Sequence, residues 1–359
     1  KPSVSDDGSS VVFIGADDNM YSITFDWAQG QYNFGLLDDQ NAWRNVVISK
    51  DGNRLAALLD SEEPYIYVFD LLSQTNESFK LYNPTTGSGG IFTDNVDYAD
   101  AMEFDHTGEY LMYDALSSLF FAGTEYWDIA FINVWNNSSK NYGNGEIEKL
   151  FTSLPDGVSV GNPVFSKNSP NIIAFDYIED GTPEINQLWG ANIETGNIGV
   201  IYENNTLAYP CFSKDDKYVI FNSINNGEEV IGVQQLTSSK INPTGSASLL
   251  IGDSYWGAWF GTGERVINSN FGLKVLKDKI NVYPNPAKNE ITLNWSTKNN
   301  FSGIIKVLDI KGNVLTTKSI ELKEGENSES IRLDNLPAGA YFIEAQRGQL
   351  KKTVKFMKN

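Results

Sequence analysis

A single cysteine, Cys211, in 359 residues excludes a disulfide framework within the chain. A single histidine, His106, excludes a histidine-rich zinc site and leaves one candidate base for any Ser/His/Asp arrangement. Long apolar runs are missing too. A helix needs about 20 apolar residues to span a bilayer, and Ile129 to Trp135, among the longest runs, stops after seven. Positive charge is scarce: 27 Lys and Arg stand against 46 Asp and Glu, a net charge of −19. That balance argues against a DNA or RNA partner, because phosphate binding needs a basic surface. The opening Lys1-Pro2-Ser3-Val4 lacks a basic start followed by an apolar stretch. The expectation is a removed targeting peptide or, preferably, a chain that begins within a longer protein.

Hydrophobic residues make up 41% of the sequence and charged residues 20%, so a packed core is expected and a disordered chain is not. Charge is unevenly placed. Residues 279–359 hold 11 Lys and 2 Arg against 2 Asp and 6 Glu, leaving 14 basic and 38 acidic residues in 1–278. A net of +5 beside a net of −24 suggests two modules with different surroundings, divided near Lys277. The boundaries read as 1–276 and 277–359.

Helix signals are almost absent. Short runs rich in Val, Ile, Phe, Tyr and Trp alternate with Asp, Asn, Gly and Ser turns, as an all-β protein requires. One phrase recurs in the acidic part: Val4-Ser5-Asp6-Asp7-Gly8, Ile48-Ser49-Lys50-Asp51-Gly52, Phe104-Asp105-His106-Thr107-Gly108, Phe165-Ser166-Lys167-Asn168-Ser169 and Phe212-Ser213-Lys214-Asp215-Asp216. A degenerate sixth copy starts at Trp259. The leading residues are 44, 56, 61, 47 and 47 positions apart, the spacing of four-stranded propeller blades. The two wide intervals contain a loop around Gly87-Ser88-Gly89-Gly90 and a polar insertion from Asn136 to Gly145.

The stretch Phe212-Ser-Lys-Asp-Asp-Lys-Tyr-Val-Ile-Phe221 resembles the repeat of TolB-type six-bladed β-propellers, a resemblance that covers roughly residues 1–275. The tryptophan-aspartate ending of WD-repeat blades is absent. Inner-type strands at Pro2–Ser5 and Gly257–Phe260, with another near Arg265–Asn268, read as five blades and half of a sixth. Blade closure by strands from both ends would then need residues upstream of Lys1; a five-bladed ring with an extra hairpin is the alternative.

Residues 280–359 read as a small Ig-like β-sandwich of six or seven strands. Tyr341, Ile343 and Ala345 are expected on one face and Val354 and Phe356 on another, with Glu344 and Lys355 outward. Leu336-Pro337-Ala338-Gly339 suits a type I turn. Pro284 and Pro286 predict a stiff extended arm between the modules.

Val282-Tyr283-Pro284-Asn285-Pro286-Ala287, followed by Ile291-Thr292-Leu293, resembles the opening of the type A C-terminal sorting domain of type IX secretion cargo from Bacteroidetes-type bacteria. Val307-Leu308-Asp309 with Gly312, then Leu336-Pro337-Ala338-Gly339-Ala340-Tyr341, continues the likeness. So does the ending Lys351-Lys352-Thr353-Val354-Lys355-Phe356-Met357-Lys358-Asn359. The resemblance implies export recognition at the outer membrane by the type IX translocon, transfer to a shuttle barrel protein, and removal by a sortase-like protease near Lys277, Asp278 and Lys279. It makes Tyr283, Pro284, Asn285, Pro286, Gly312, Leu336, Pro337, Gly339, Tyr341, Lys352, Val354, Phe356 and Lys358 the sorting determinants. A last strand that ends at the terminus also suits addition to a partner's sheet edge.

Other residues carry weaker chemistry. Asp-Gly pairs such as Asp51-Gly52 read as turns. Asp94, Asp97 and Asp100, with Asn95, form the densest carboxylate cluster and would suit Ca²⁺ through oxygen ligands, without EF-hand spacing. No other cofactor is expected. His106 reads as a turn residue and Cys211 as a buried small hydrophobe. Tyr126-Trp127, Trp135, Trp189 and Tyr255-Trp256 read as blade core, with sugar stacking at a rim as the alternative. The expected function is thus a secreted or cell-surface cargo whose propeller binds an extracellular partner. A propeller hydrolase or lyase acting on polysaccharide is the competing reading. Three carboxylates converging on the central channel would mark the enzyme; an aromatic, carboxylate-poor channel would mark the binder.

Overall fold

The computed structural model describes residues 2–84, 95–118, 125–151, 154–259, 281–297, 300–309, 313–334, 336–347 and 350–359. Among these residues there are strands and turns and no helix. The first sheet contains β1 (Ser3–Val4), β2 (Ser10–Ile14), β3 (Met20–Asp26) and β4 (Gln31–Asp38). The second contains β5 (Trp43–Ile48), β6 (Arg54–Leu59), β7 (Tyr65–Asp70) and β8 (Thr75–Lys80). The third contains β9 (Asn95–Phe104), β10 (Tyr110–Ser118), β11 (Glu125–Asn133) and, after the small hairpin β12 (Trp135–Asn136) and β13 (Asn141–Tyr142), β14 (Ile147–Lys149). That hairpin is the polar insertion expected at 136–145. The fourth sheet contains β15 (Val158–Phe165), β16 (Ile172–Glu179), β17 (Ile185–Asn192) and β18 (Asn197–Asn204). The fifth contains β19 (Cys211–Phe212), β20 (Tyr218–Asn225), β21 (Glu228–Gln235) and β22 (Ser248–Gly252). Each sheet is an antiparallel meander in chain order, which is how a propeller blade is built.

Apolar burial lies between blades. Val12 and Met20 of the first sheet pack on Trp43, Val46 and Ile48 of the second. Val47 and Ala56 meet Phe104 and Leu111, Phe131 meets Phe165 and Phe175, and Ala174 meets Phe212 and Phe221. A blade covered on both faces needs apolar residues at consecutive positions. Accordingly Leu55, Ala56, Ala57 and Leu58 are all buried. Each such Phe or Leu contributes about 1.5–3 kcal/mol by leaving water.

The recurring phrase is a hydrogen-bonded hairpin. The hydroxyl oxygens of Ser5, Ser49 and Ser213 accept the amides of Ser10, Arg54 and Tyr218, and Asp105 accepts that of Tyr110. Gly8, Gly52 and Gly108 have φ of +71°, +74° and +66°, a region glycine enters without steric cost. Asp216 holds the equivalent place in the fifth blade with φ of +56°. Its carboxylate is fully buried and accepts the amides of Lys167 and Asn168 in the fourth blade's turn.

Five complete sheets are described. Of the expected sixth-blade strands, Gly257–Trp259 is described without strand structure, and residues 260–280 lie outside the described set, as does the loop at 87–90. The Trp259 amide donates to Cys211 Sγ at 3.1 Å, so this segment runs beside the inner strand of the fifth blade.

The basic part forms two sheets. β23 (Asn281–Tyr283), β24 (Glu290–Thr297) and β27 (Gly325–Arg332) make one. β25 (Phe301–Leu308), β26 (Val314–Leu322), β28 (Gly339–Arg347) and β29 (Leu350–Lys358) make the other. Ile291 and Leu293 of the first sheet share a core with Ile305, Ile343 and Phe356 of the second, giving a seven-stranded sandwich.

Three expectations need correction here. Tyr341 and Ile343 lie opposite Phe356 and Val354 in the strand register, so they form one face and not two. Glu344 is buried at 8% exposure, because Lys306 on the neighbouring strand donates to it at 2.9 Å. The Pro284–Pro286 segment is not a free arm. Asn285 Oδ1 accepts the Met357 amide, Met357 O accepts the Ala287 amide, and Ala287 O accepts the Asn359 amide. The opening motif therefore folds back and seals one end of the terminal strand.

Candidate functional site

Inner strands of all five sheets converge on one cavity of about 280 Å³. The repeat dictates its lining. Side chains alternate along a strand, and the residue just before each repeat anchor faces inward: Ser3, Val47, Glu103, Val164, Cys211 and Ala258. Position 258 thus behaves as a sixth copy. The residues three before the anchors line the cavity as well: Asn45, Ala101, Asn162, Tyr209 and Trp256.

Glu103 is the one charged member of the first set. Its burial alone would raise its pKa, but Lys50 and Lys167 overcome that and hold it at about 2. Lys50 ion-pairs with it directly, Lys167 lies at 3.8 Å, and the Phe165 amide donates to its other oxygen at 2.7 Å. A carboxylate so held is a poor proton donor near neutral pH.

A second group of polar residues escaped the sequence reading. Asp114 on β10, Asp176 on β16 and Asn222 on β20 occupy one position of successive blades, and each fastens the next inner segment. Asp114 accepts the Ala101 and Asn162 amides, both at 2.6 Å. Asp176 accepts the Ala208 and Tyr209 amides at 2.7 and 3.2 Å, and the side-chain amide of Asn162 at 2.9 Å. Asn222 Oδ1 accepts the Trp256 amide at 2.9 Å. Burial, reinforced by the neighbouring Asp100, pushes Asp114 up to about 7. Burial also raises Asp100, against the pull of Arg44. The signal in the sequence was a polar residue interrupting an apolar strand, as in Met112-Tyr113-Asp114-Ala115 and Ala174-Phe175-Asp176-Tyr177.

The channel satisfies parts of both marks set above: Asp6, Asp100 and Glu103 line it, and so do Tyr209, Trp256 and Trp259. Of the proposed Ca²⁺ ligands, Asp94 lies outside the described residues, Asp97 accepts the Ser118 hydroxyl at 2.7 Å, and Asp100 lines the channel. Among the described residues no group of three or more His, Cys, Asp or Glu is placed to hold a metal ion. His106 meets the Phe165 ring edge-on at 5.9 Å. Trp135 is buried beneath Arg54, Trp189 stacks on Tyr177 at 4.3 Å, and Trp127 meets Tyr98 edge-on. Tyr255 and Trp256 stay 57% and 45% exposed, unlike core residues.

The sandwich brings most of the expected sorting residues into two places. Tyr283, Pro284, Asn285 and Pro286 are exposed beside the end of β29, with the Tyr283 hydroxyl accepting from Asn294 at 2.6 Å. At the start of β28 the Tyr341 hydroxyl donates to Pro337 O at 2.8 Å, closing the turn from Leu336 to Gly339, and its ring stacks on Phe356 at 5.7 Å. Lys352, Val354 and Lys358 pair with Ala345, Ile343 and Gly339 in the register. Gly312 and the expected cleavage region Lys277, Asp278 and Lys279 lie outside the described residues.

Residues 281–359 match the family model of the secretion system C-terminal sorting domain. No curated protein matches the chain. Solved structures similar to it include TolB from Acinetobacter baumannii at 14% identity and a TM-score of 0.46, covering 69% of this chain and 55% of that one. A putative TolB from Agrobacterium tumefaciens is 14% identical at a TM-score of 0.42, covering 84% and 94%. The β-propeller domain of the Trilobed protease from Pyrococcus furiosus is 8% identical at 0.38, covering 99% and 92%. The chain thus spans little more than half of the Acinetobacter structure. The sorting tail marks the chain as type IX secretion cargo, which engages that machinery and is exported to the cell surface or released.

Proposed function

We propose that residues 1–276 are a binding module that meets an extracellular partner at the central channel, and that residues 277–359 are its sorting signal. In this reading the exposed segment Tyr283–Pro286, the turn Leu336–Gly339 and the terminal strand are read by the translocon and the shuttle barrel protein. A sortase-like protease then cuts near Lys277–Lys279. One observation supports binding over hydrolysis: Glu103 in the channel, and Asp114 and Asp176 on the neighbouring strands, are already engaged. Glu103 is neutralised by two lysines, and Asp114 and Asp176 hold backbone amides. A glycosidase needs two carboxyl groups free to exchange protons or attack across a substrate.

The hydrolase reading retains Asp100, whose raised pKa suits a proton donor. Incubating the purified chain with neutral and acidic oligosaccharides is expected to release no new reducing ends and no unsaturated ends. Turnover that disappears in Asp100→Asn would replace the binding reading with the enzymatic one.

A further inference from the structure

Asn162, Tyr209 and Trp256 stand 47 residues apart in equivalent repeat positions, with φ of +51°, +43° and +56°. Asn enters that region readily; a bulky aromatic does so only where its surroundings over-determine it. Here the surroundings do, since Asp176 holds the Tyr209 amide and Asn222 holds the Trp256 amide. Core packing does not require the Trp256 conformation, because this side chain is 45% exposed. Tyr209 and Tyr255 meet it edge-on at 6.2 and 4.9 Å. The backbone thus holds a partly exposed aromatic surface in place on the channel wall. Strain kept at an accessible cavity points to recognition.

We propose that this end of the channel binds a neutral saccharide, with Tyr209 and Trp256 as the stacking surface and Asn45, Asn162 and Arg44 as hydroxyl partners. The assignment rests on the binding-module reading. Charge supports a neutral ligand. The propeller part carries a net −24, which repels polyanions. Two of the cavity's charged sites are matched: Glu103 by two lysines of the lining, and Arg44 by Asp60 outside it while it lies over the Tyr98 ring at 4.4 Å. Planar amide and guanidinium groups beside an aromatic face suit a polyhydroxylated ring, which offers donors and acceptors at its edge and C–H groups on its face. At about 280 Å³ the cavity takes one or two sugar rings, not a folded partner.

The test titrates the full chain with cellohexaose, xylohexaose, mannohexaose and maltohexaose by calorimetry and tryptophan fluorescence. Pentagalacturonate and the peptides tetraglutamate and tetralysine serve as contrasting probes. At least one neutral probe is expected to bind and shift the fluorescence. Trp256→Ala should weaken that binding by about tenfold or more, Trp256→Phe by much less, and neither should move the melting temperature. Asn222→Ala, which frees the Trp256 backbone, should weaken binding with the ring still present. Neutral binding indifferent to Trp256→Ala overturns the assignment, as does the absence of binding to all probes. Binding confined to pentagalacturonate or the peptides overturns it while leaving the binding module intact, and cleavage of a bound probe overturns the binding module itself.

Discussion

Replacing Phe356 by alanine is expected to destabilise the C-terminal sandwich strongly and stop export. Phe356 is fully buried on the last strand, stacked on Tyr341 and sharing a core with Ile291, Leu293 and Ile343 from both sheets. Truncating a buried Phe costs about 3–5 kcal/mol through lost transfer energy and the cavity left behind. A module of this length holds roughly 4–12 kcal/mol in total, so the change removes much of it. The sealing bonds at Asn285, Ala287 and Asn359 depend on the same strand and would loosen with it. Urea unfolding of residues 281–359 should show the loss as a lower midpoint with an unchanged slope. Phe356→Leu, which keeps most of the volume, should cost about 1 kcal/mol and preserve export. Equal stability of the alanine variant and the parent would mean that this strand is not part of the core.

Removing the Glu103 carboxylate is expected to be the most damaging single change in the channel. Lys50, Glu103 and Lys167 have side chains only 9%, 15% and 20% exposed. Glu103→Ala removes the carboxylate that both lysines share and takes this acceptor from the Phe165 amide. Breaking such a buried pair costs about 3–5 kcal/mol, and Glu103→Gln should recover part of it by keeping an acceptor. The same triad sets a pH dependence. The folded pKa of about 2 lies below the ordinary value of about 4.3. The triad's contribution is therefore complete above that ordinary value and is lost as pH falls towards 2. Thermal unfolding of the parent and of Glu103→Gln at pH 6 and pH 2.5 should show the gap between them narrowing in acid. A gap that stays constant would contradict the ion-pair assignment.

What the sequence disclosed and what it withheld divide by distance along the chain. The turn phrase was legible because its bonds are local: Ser49 accepts the amide of Arg54 five residues on, and Gly52 supplies the positive φ. Blade strands were legible for the same reason, since runs such as Arg54–Leu59 and Ile172–Glu179 sit between such turns. The blade clamps were not, because Asp114 reaches Asn162 across 48 residues and Asp176 reaches Ala208 across 32. Nothing near Asp114 distinguishes a clamp from a solvated carboxylate, except that the strand around it is apolar. Glu103 was hidden in the same way, as one of three carboxylates on an inner strand, with partners that belong to two other blades. In the sandwich, motif order gave the module, yet the docking of Asn285 and Ala287 on the last strand spans about 70 residues and leaves no local trace. Glu344 looked outward by alternation and is buried because Lys306 neutralises it.

We propose that residues 277–359 act as a transferable export signal. The most direct test fuses them to an unrelated folded reporter that carries an inner-membrane export signal, expressed in type IX-competent cells. Reporter is expected outside the cell or on its surface, with an intact mass corresponding to cleavage near Lys277–Lys279. None is expected outside when Thr353–Lys358 is deleted. Reporter retained in the periplasm with the whole module present, or secreted without the last strand, would contradict the proposal.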